Sequence, residues 1–219
     1  MTKYSCIIAD PPWAYSNRQN GAAAKHYPTM TAAQIKALPV SKLAERDCVL
    51  LLWATNPCLP NALDVIQAWG FTYKTAFPWI KLQNAESETL VYGTGYWIRG
   101  CSELILIASR GNAQAPRSSD LGILCSERFK HSRKPESLHD YAERNLPGPY
   151  LELFARETRP GWDSFGNELG SKSVSMPPNQ GWQETKLIKG NRYKYRCWRD
   201  EQGRKRSKYL GKVQQEATA

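Results

Sequence analysis

An α/β protein built on a parallel sheet is what this sequence predicts, and three observations carry the prediction. Apolar runs of strand length alternate with helical segments through the first 170 residues. Two of the runs, Val49-Leu50-Leu51-Leu52-Trp53 and Glu103-Leu104-Ile105-Leu106-Ile107-Ala108, are nearly continuous, as in strands covered on both faces. A third, Cys6-Ile7-Ile8-Ala9, stops abruptly at Asp10-Pro11-Pro12-Trp13. Each proline fixes its own φ and lacks an N–H, so no strand or helix continues through the pair. Asp10 is therefore offered on a stiff turn at the carboxyl end of a buried strand, the edge where open α/β sheets bind ligands.

Taken in order, the polar stretch Ala14 to Lys25 reads as a loop over that edge, closed by His26-Tyr27-Pro28-Thr29-Met30. Thr29 or Thr31 caps a short helix to about Ala37, which Pro39 stops, and Val40 to Arg46 continues helically. The strand Val49 to Trp53 leads to a helix, Leu59 to Trp69, ended by Gly70. Phe71 to Lys81 is the next strand. Gln83 to Tyr92 is a polar loop with Gly93-Thr94-Gly95 as hinges, ahead of Trp97, Arg99 and the strand from Glu103. Asn112 to Asp120 is again loop. A helix with Pro at its first turn covers Pro135 to Asn145, and Leu146-Pro147-Gly148-Pro149 turns into a last strand, Tyr150 to Ala155.

Asp10 and its neighbours suit one chemistry. The exocyclic amine of a nucleobase is a weak nucleophile, because its lone pair is delocalised into the ring. A carboxylate (Asp10) and a rigidly held carbonyl (Pro11) can accept its two N–H bonds and localise that lone pair, as preorganised acceptors do. Trp13 offers a flat face for the base, a contact worth ~1–3 kcal/mol.

At 219 residues, with 41% hydrophobic content, the chain has room for one sizeable domain and an appendage. No stretch approaches the ~20 apolar residues of a membrane span. Met1-Thr2-Lys3-Tyr4 leads into the first strand, so no signal peptide is expected, and a cytoplasmic location is the expectation. Six cysteines without Cys-x-x-Cys spacing read as reduced thiols, with no metal site.

The net charge of +10 is unevenly placed. Residues 171–219 hold twelve basic and four acidic side chains, a net of +8, whereas residues 1–170 hold eighteen and sixteen. The domains expected are therefore 1–170 catalytic, 171–181 linker, 182–213 a small basic β module, and 214–219 tail. Three strand-like runs, Thr185 to Lys189, Arg192 to Arg199 and Arg204 to Leu210, make up the module, with turns between them. In the middle run Tyr193, Tyr195 and Cys197 alternate with Arg192, Lys194 and Arg196, giving an aromatic and a cationic face. With Arg199, Arg204, Lys205, Arg206 and Lys208, that face is a candidate nucleic-acid surface. A solvated basic face on a tiny domain is the alternative.

The pieces resemble, in order and spacing, the family of N6-adenine methyltransferases typified by the catalytic subunit of the eukaryotic mRNA adenosine methylase, with bacterial and phage DNA-adenine relatives. They are Ala9 to Trp13, Tyr27 to Met30, Leu51 to Thr55, Trp79-Ile80-Lys81, Gly95-Tyr96-Trp97, His131 to Glu136, Leu151 to Arg156, and Pro160-Gly161-Trp162 followed by Gly166-Asn167-Glu168. The resemblance covers about residues 4–170 and implies a permuted Rossmann-like methyltransferase sheet, its catalytic strand first and its cofactor-binding half last. It implies S-adenosylmethionine as cofactor, held by Asp10, Lys134, Glu152, Arg156, Asn167 and Glu168, although Glu157-Thr158 stands where relatives carry His-Asn. It also implies a substrate pocket formed by Trp13, Tyr15, Tyr27, Trp79, Trp97 and Arg99. The function expected is N6 methylation of adenine in DNA, with the base flipped out. An RNA substrate and a catalytically silent nucleic-acid-binding subunit stay open, as does a homodimer or a heterodimer with a related subunit.

Overall fold

A computed structural model of the chain describes residues 2–14, 29–84, 86–93, 97–115, 122–128, 133–169, 173, 182–188, 191–199 and 205–213. Tyr15, Tyr27, Arg204, most of the loop after Trp13 and nearly all of the linker lie outside them, and at Arg199 and Lys205 only the backbone is described.

Seven strands form the main sheet: β1 Tyr4–Ala9, β2 Ala44–Ala54, β3 Thr72–Leu82, β4 Ser102–Arg110, β5 Leu124–Glu127, β6 Tyr150–Leu153 and β7 Trp162–Phe165. Their order is β5-β3-β4-β2-β1-β6-β7. β1 pairs in parallel with β2 and β6, β6 with β7, and β3 with β5. β4 runs against both β2 and β3, so the sheet is mixed, which corrects the all-parallel expectation. The apolar run of β4 would read the same in either direction, because burial on both faces sets its composition and the connection sets its direction. The loop 83–101 returns the chain directly beside β3 as a wide hairpin, which needs no crossover helix.

Helices cover both faces, which explains the continuous apolar strands. On one face α1 (Ala32–Lys36) and α3 (Leu59–Ala68) enclose a core with Ile7, Leu50, Leu52, Val65 and Trp69. On the other, α4 (Ser137–Asn145) brings Leu138 and Ala142 against Ile8, Leu51, Trp53, Trp79 and Ile105. Thr31 caps α1 by a reciprocal capping box with Gln34, as its sequence position predicts. The helix expected over Val40 to Arg46 is cut short. Only α2, Val40–Leu43, is helical, and Ala44 already begins β2. Tyr4 pairs with Ala44 and Cys6 with Val49, so the sheet captures this segment against its local preference.

A separate antiparallel sheet comprises β8 Trp182–Ile188, β9 Asn191–Arg199 and β10 Lys205–Lys212, ordered β10-β9-β8, with β8 beside α1. Its strands lie where the three runs were expected. Tyr193, Tyr195 and Tyr209 pack their rings together on one face, where Cys197 is buried. Cross-strand register places Arg192, Lys194, Arg196, Arg206 and Lys208 together on the opposite face, all exposed and with no acid among the described residues there.

Candidate active site

β1 is flanked by β2, the next strand in sequence, and by β6, to which the chain returns near its end. This reversal is the switch point where open α/β sheets place their crevice. A cavity of about 460 Å³ opens there, lined from the carboxyl ends of β1, β2, β6 and β7. Asp10 to Trp13, Trp53 to Thr55, Phe154 to Arg156 and Phe165 to Glu168 all contribute to its wall.

The Asp-Pro-Pro-Trp turn is held at every residue. Asp10 N–H donates to the Leu153 carbonyl at 3.3 Å, and Trp13 N–H to the Pro11 carbonyl at 2.8 Å. Met30 N–H donates to the Pro12 carbonyl at 2.8 Å. The Trp13 indole Nε1 donates to the Trp53 carbonyl at 3.1 Å, which fixes the plane of a ring only 6% exposed. Two prolines and four hydrogen bonds leave this turn one conformation. The Pro11 carbonyl retains a second lone pair, since a carbonyl oxygen has two and Trp13 takes one.

Charge enters from three other segments. Lys134 Nζ donates to Asp10 Oδ2 at 2.8 Å and lies 3.3 Å from Glu103 Oε2, while Lys81 Nζ reaches Glu103 Oε1 at 2.5 Å. Lys81, Glu103, Lys134 and Asp10 thus form a chain of alternating sign, with side chains 13–26% exposed. The floor beneath it is aromatic. Lys134 sits over the Trp53 ring and Lys81 over that of Trp79, and the two tryptophans meet edge to face at 5.8 Å.

The three titrating partners respond differently. Burial pushes the Asp10 carboxyl above its usual range, and Lys134 only partly offsets this. Burial also pushes on Glu103, but two lysines together hold it below the usual range. Lys134 loses by burial and gains more from Asp10 and Glu103, so its ammonium is held above the ordinary lysine value. It stays charged.

Two backbone features close the far side. Phe154 adopts a left-handed φ of 66°, rare for a residue with a bulky side chain, at the point where β6 ends against the cavity. A Cβ on Gly166 would meet the Ala155 carbonyl oxygen at 1.8 Å, so glycine alone lets the segments after β6 and β7 run this close. Arg156 and Glu168 pair loosely across them at 3.7 Å.

The MT-A70 family profile matches residues 4–168. The chain belongs to the MT-A70 family. Among its relatives, the type II methyltransferase M.MunI of Mycoplasma sp is 29% identical over 207 residues, covering 84% of this chain and 85% of that protein. The N(6)-adenosine-methyltransferase subunit METTL3 of Danio rerio is 28% identical over 77% of the chain, and the human N(6)-adenine-specific methyltransferase METTL4 is 29% identical over 76%. The chain spans only 28% and 37% of those two proteins. The MT-A70 match ends before β8, whereas the M.MunI alignment covers a larger share of the chain.

Of the residues expected to hold a cofactor, Asp10, Lys134, Arg156, Asn167 and Glu168 line this MT-A70 cavity together. Glu152 does not. It sits mid-strand in β6, where alternation turns it toward α4, and its Oε2 pairs with His139 Nε2 at 3.1 Å. Trp79, expected against the substrate, is 1% exposed in the core, its indole Nε1 donating to Ser126 Oγ. It supports the site from below. Trp97, fully exposed, and Arg99, stacked over Tyr92, lie on the loop between β3 and β4, outside the cavity wall. Glu103 was missed as a site residue, as were Trp53 and Phe154. An acid opening an otherwise apolar buried strand was the available signal for Glu103, since such a charge needs partners.

Proposed function

We propose that this MT-A70 protein transfers a methyl group from S-adenosylmethionine to the N6 amine of adenine in DNA. The observation that carries the proposal is the rigid Asp10-Pro11 pair of acceptors opening into the same cavity as Lys134, Arg156, Asn167 and Glu168.

The residues present fit such a cofactor. The cavity volume lies within the range of small-molecule sites. Lys134 and Asp10 place opposite charges where a zwitterionic amino-acid end would be held, and Asn167 and Glu168 offer a donor and acceptors for ribose hydroxyls. Trp53, Phe154 and Phe165 supply apolar surface. When bound, the cofactor supplies an electrophilic methyl group.

The chain's own part is positional. Asp10 Oδ1 has no partner among the described residues, and the Pro11 carbonyl has a lone pair to spare. Each accepts one N–H of the amine, which pins its plane and directs its lone pair. The Trp13 ring, held by Trp53, limits how the base can tilt. Met30, Leu38 and Phe154 dry the pocket, which strengthens each of these hydrogen bonds.

DNA is favoured by two features. The M.MunI alignment runs through most of both proteins, whereas METTL3 matches over little more than a quarter of its length. The five-residue cationic face of the small sheet suits a phosphate backbone. A triple variant, Arg192→Ala with Lys194→Ala and Lys208→Ala, is expected to lower the salt slope of duplex binding by about 0.9 for each phosphate it no longer neutralises. Fluorescence anisotropy at several salt concentrations measures it, and a slope equal to that of the wild type would remove the module from DNA binding. The substrate itself is tested by tritiated methyl transfer to DNA and RNA oligonucleotides side by side. Faster transfer to DNA is expected, and faster transfer to RNA would reverse the assignment.

A further inference from the structure

Lys81 stands outside the cavity wall, yet three contacts tie it to the site. Its N–H donates to the Cys101 carbonyl at 2.9 Å and its carbonyl accepts from Val91 N–H at 2.8 Å, so its backbone joins both arms of the loop between β3 and β4. Its Nζ is bonded to Glu103, above the Trp79 ring. Glu103 Oε2 in turn shares Lys134 with Asp10. We propose that Lys81 is a positioning residue for Asp10, acting through Glu103 and Lys134. The inference rests on the assignment of Asp10 as the acceptor for the adenine amine.

Charge balance gives Lys81 this role. Lys134 alone would have to serve two carboxylates, Asp10 and Glu103, in a site where side chains are largely removed from water. An ion shared between two acids leaves one of them under-compensated, and that acid takes up a proton more readily. Lys81 supplies the fourth charge and satisfies Glu103 from the other side, which frees Lys134 to hold Asp10 ionised and fixed. The groups acting on Asp10 are Lys134 ahead of α4, Glu103 on β4 and Arg156 after β6. Burial and Glu103 favour its protonated form, and the two cations oppose them. Lys81 bears on this balance only through Glu103, the acid it neutralises.

The sign of each substitution follows. Lys81→Met leaves Glu103 to draw Lys134 away and to face Asp10 with its charge less compensated. Both effects raise the proton affinity of Asp10, so the acid limb of the kcat/KM profile moves up by about one pH unit. Glu103→Gln keeps a hydrogen-bonding side chain but removes the like charge, so the limb moves down. Lys81→Arg keeps the charge and restores the wild-type profile. KM for DNA stays unchanged in the Lys81 variants, since Lys81 is not itself part of the cavity wall and meets it only through Glu103.

The experiment measures pH–rate profiles of wild type, Lys81→Met, Lys81→Arg and Glu103→Gln. It is paired with a carboxyl ¹³C NMR titration of Asp10 in the ligand-free proteins, the resonance assigned from Asp10→Asn. Shifts of opposite sign for Lys81→Met and Glu103→Gln, with restoration in Lys81→Arg, are expected. Identical titrations in all four proteins, or shifts of the same sign, overturn the proposal. Should Lys81→Met fold poorly, Lys81→Gln, which keeps a polar side chain without the charge, takes its place, and an Asp10 titration in Lys81→Gln equal to that of the wild type overturns the proposal. The NMR arm separates the two levels. Opposite shifts in a protein that methylates nothing support the charge chain and refute the methyl-transfer assignment. An active enzyme whose Asp10 titrates alike in every variant refutes the role of Lys81 alone.

Discussion

Asp10→Ala lowers methyl transfer by at least ~10²–10³-fold while the protein stays folded. The magnitude is that of removing one preorganised acceptor, and it grows if the substrate is also mispositioned. Retention of the fold has a specific reason. Burial lifts the Asp10 carboxyl above its usual range despite Lys134, so the folded state binds this proton more tightly than the unfolded chain. Such an acid favours the fold at low pH, and its contribution declines as pH rises through the raised folded value. Wherever the pH exceeds that raised value, the ionised Asp10 weakens the fold, as functional charges commonly do. Its removal leaves Lys134 still paired with Glu103 at 3.3 Å. Thermal melting of Asp10→Asn at pH 7 should give a midpoint no lower than that of the wild type. A melt well below it, or activity within a few-fold of wild type, would contradict the role given to Asp10.

Lys134→Ala has the opposite signature. It leaves two carboxylates, Asp10 and Glu103, facing each other without the cation between them. Removing one partner of a buried ionic group costs about 3–5 kcal/mol, against ~1 kcal/mol for an exposed pair. With Lys134 only 14% exposed, the larger figure applies. Stability should fall by that amount, and calorimetric titration should show loss of S-adenosylmethionine binding. The double variant Lys134→Met with Glu103→Gln separates the two effects. It recovers much of the stability, because the like charge is gone, but none of the binding. Equal stability of Lys134→Ala and wild type in urea would mean that these charges are better solvated than their burial implies.

What the sequence discloses of this site is its punctuation. Asp10-Pro11-Pro12-Trp13 was legible because two prolines end a strand wherever they fall, and the strand before them is too apolar to lie at a surface. The assembly of the charge chain was not legible. Asp10 and Lys134 are 124 positions apart, and only the return of β6 beside β1 carries the segment of α4 to this edge. Trp79 misled because an aromatic residue within a site motif reads equally as a stacking face or as floor. β7, with only four residues in an alternating pattern, carries too little apolar length to stand out. The direction of β4 depends on the loop 83–101 rather than on its own residues. The cationic face of the small sheet, by contrast, was visible as simple alternation along β9, because a two-residue period survives without knowledge of the partners.

The most direct measurement is the position of the methyl group. DNA incubated with S-adenosylmethionine and the wild-type protein, digested to nucleosides and resolved by mass spectrometry, should yield N6-methyldeoxyadenosine. Asp10→Asn should yield none above background under the same conditions. Methyl groups found on another atom or another base, or N6-methyldeoxyadenosine made equally by Asp10→Asn, would contradict an adenine amine held by Asp10 and the Pro11 carbonyl.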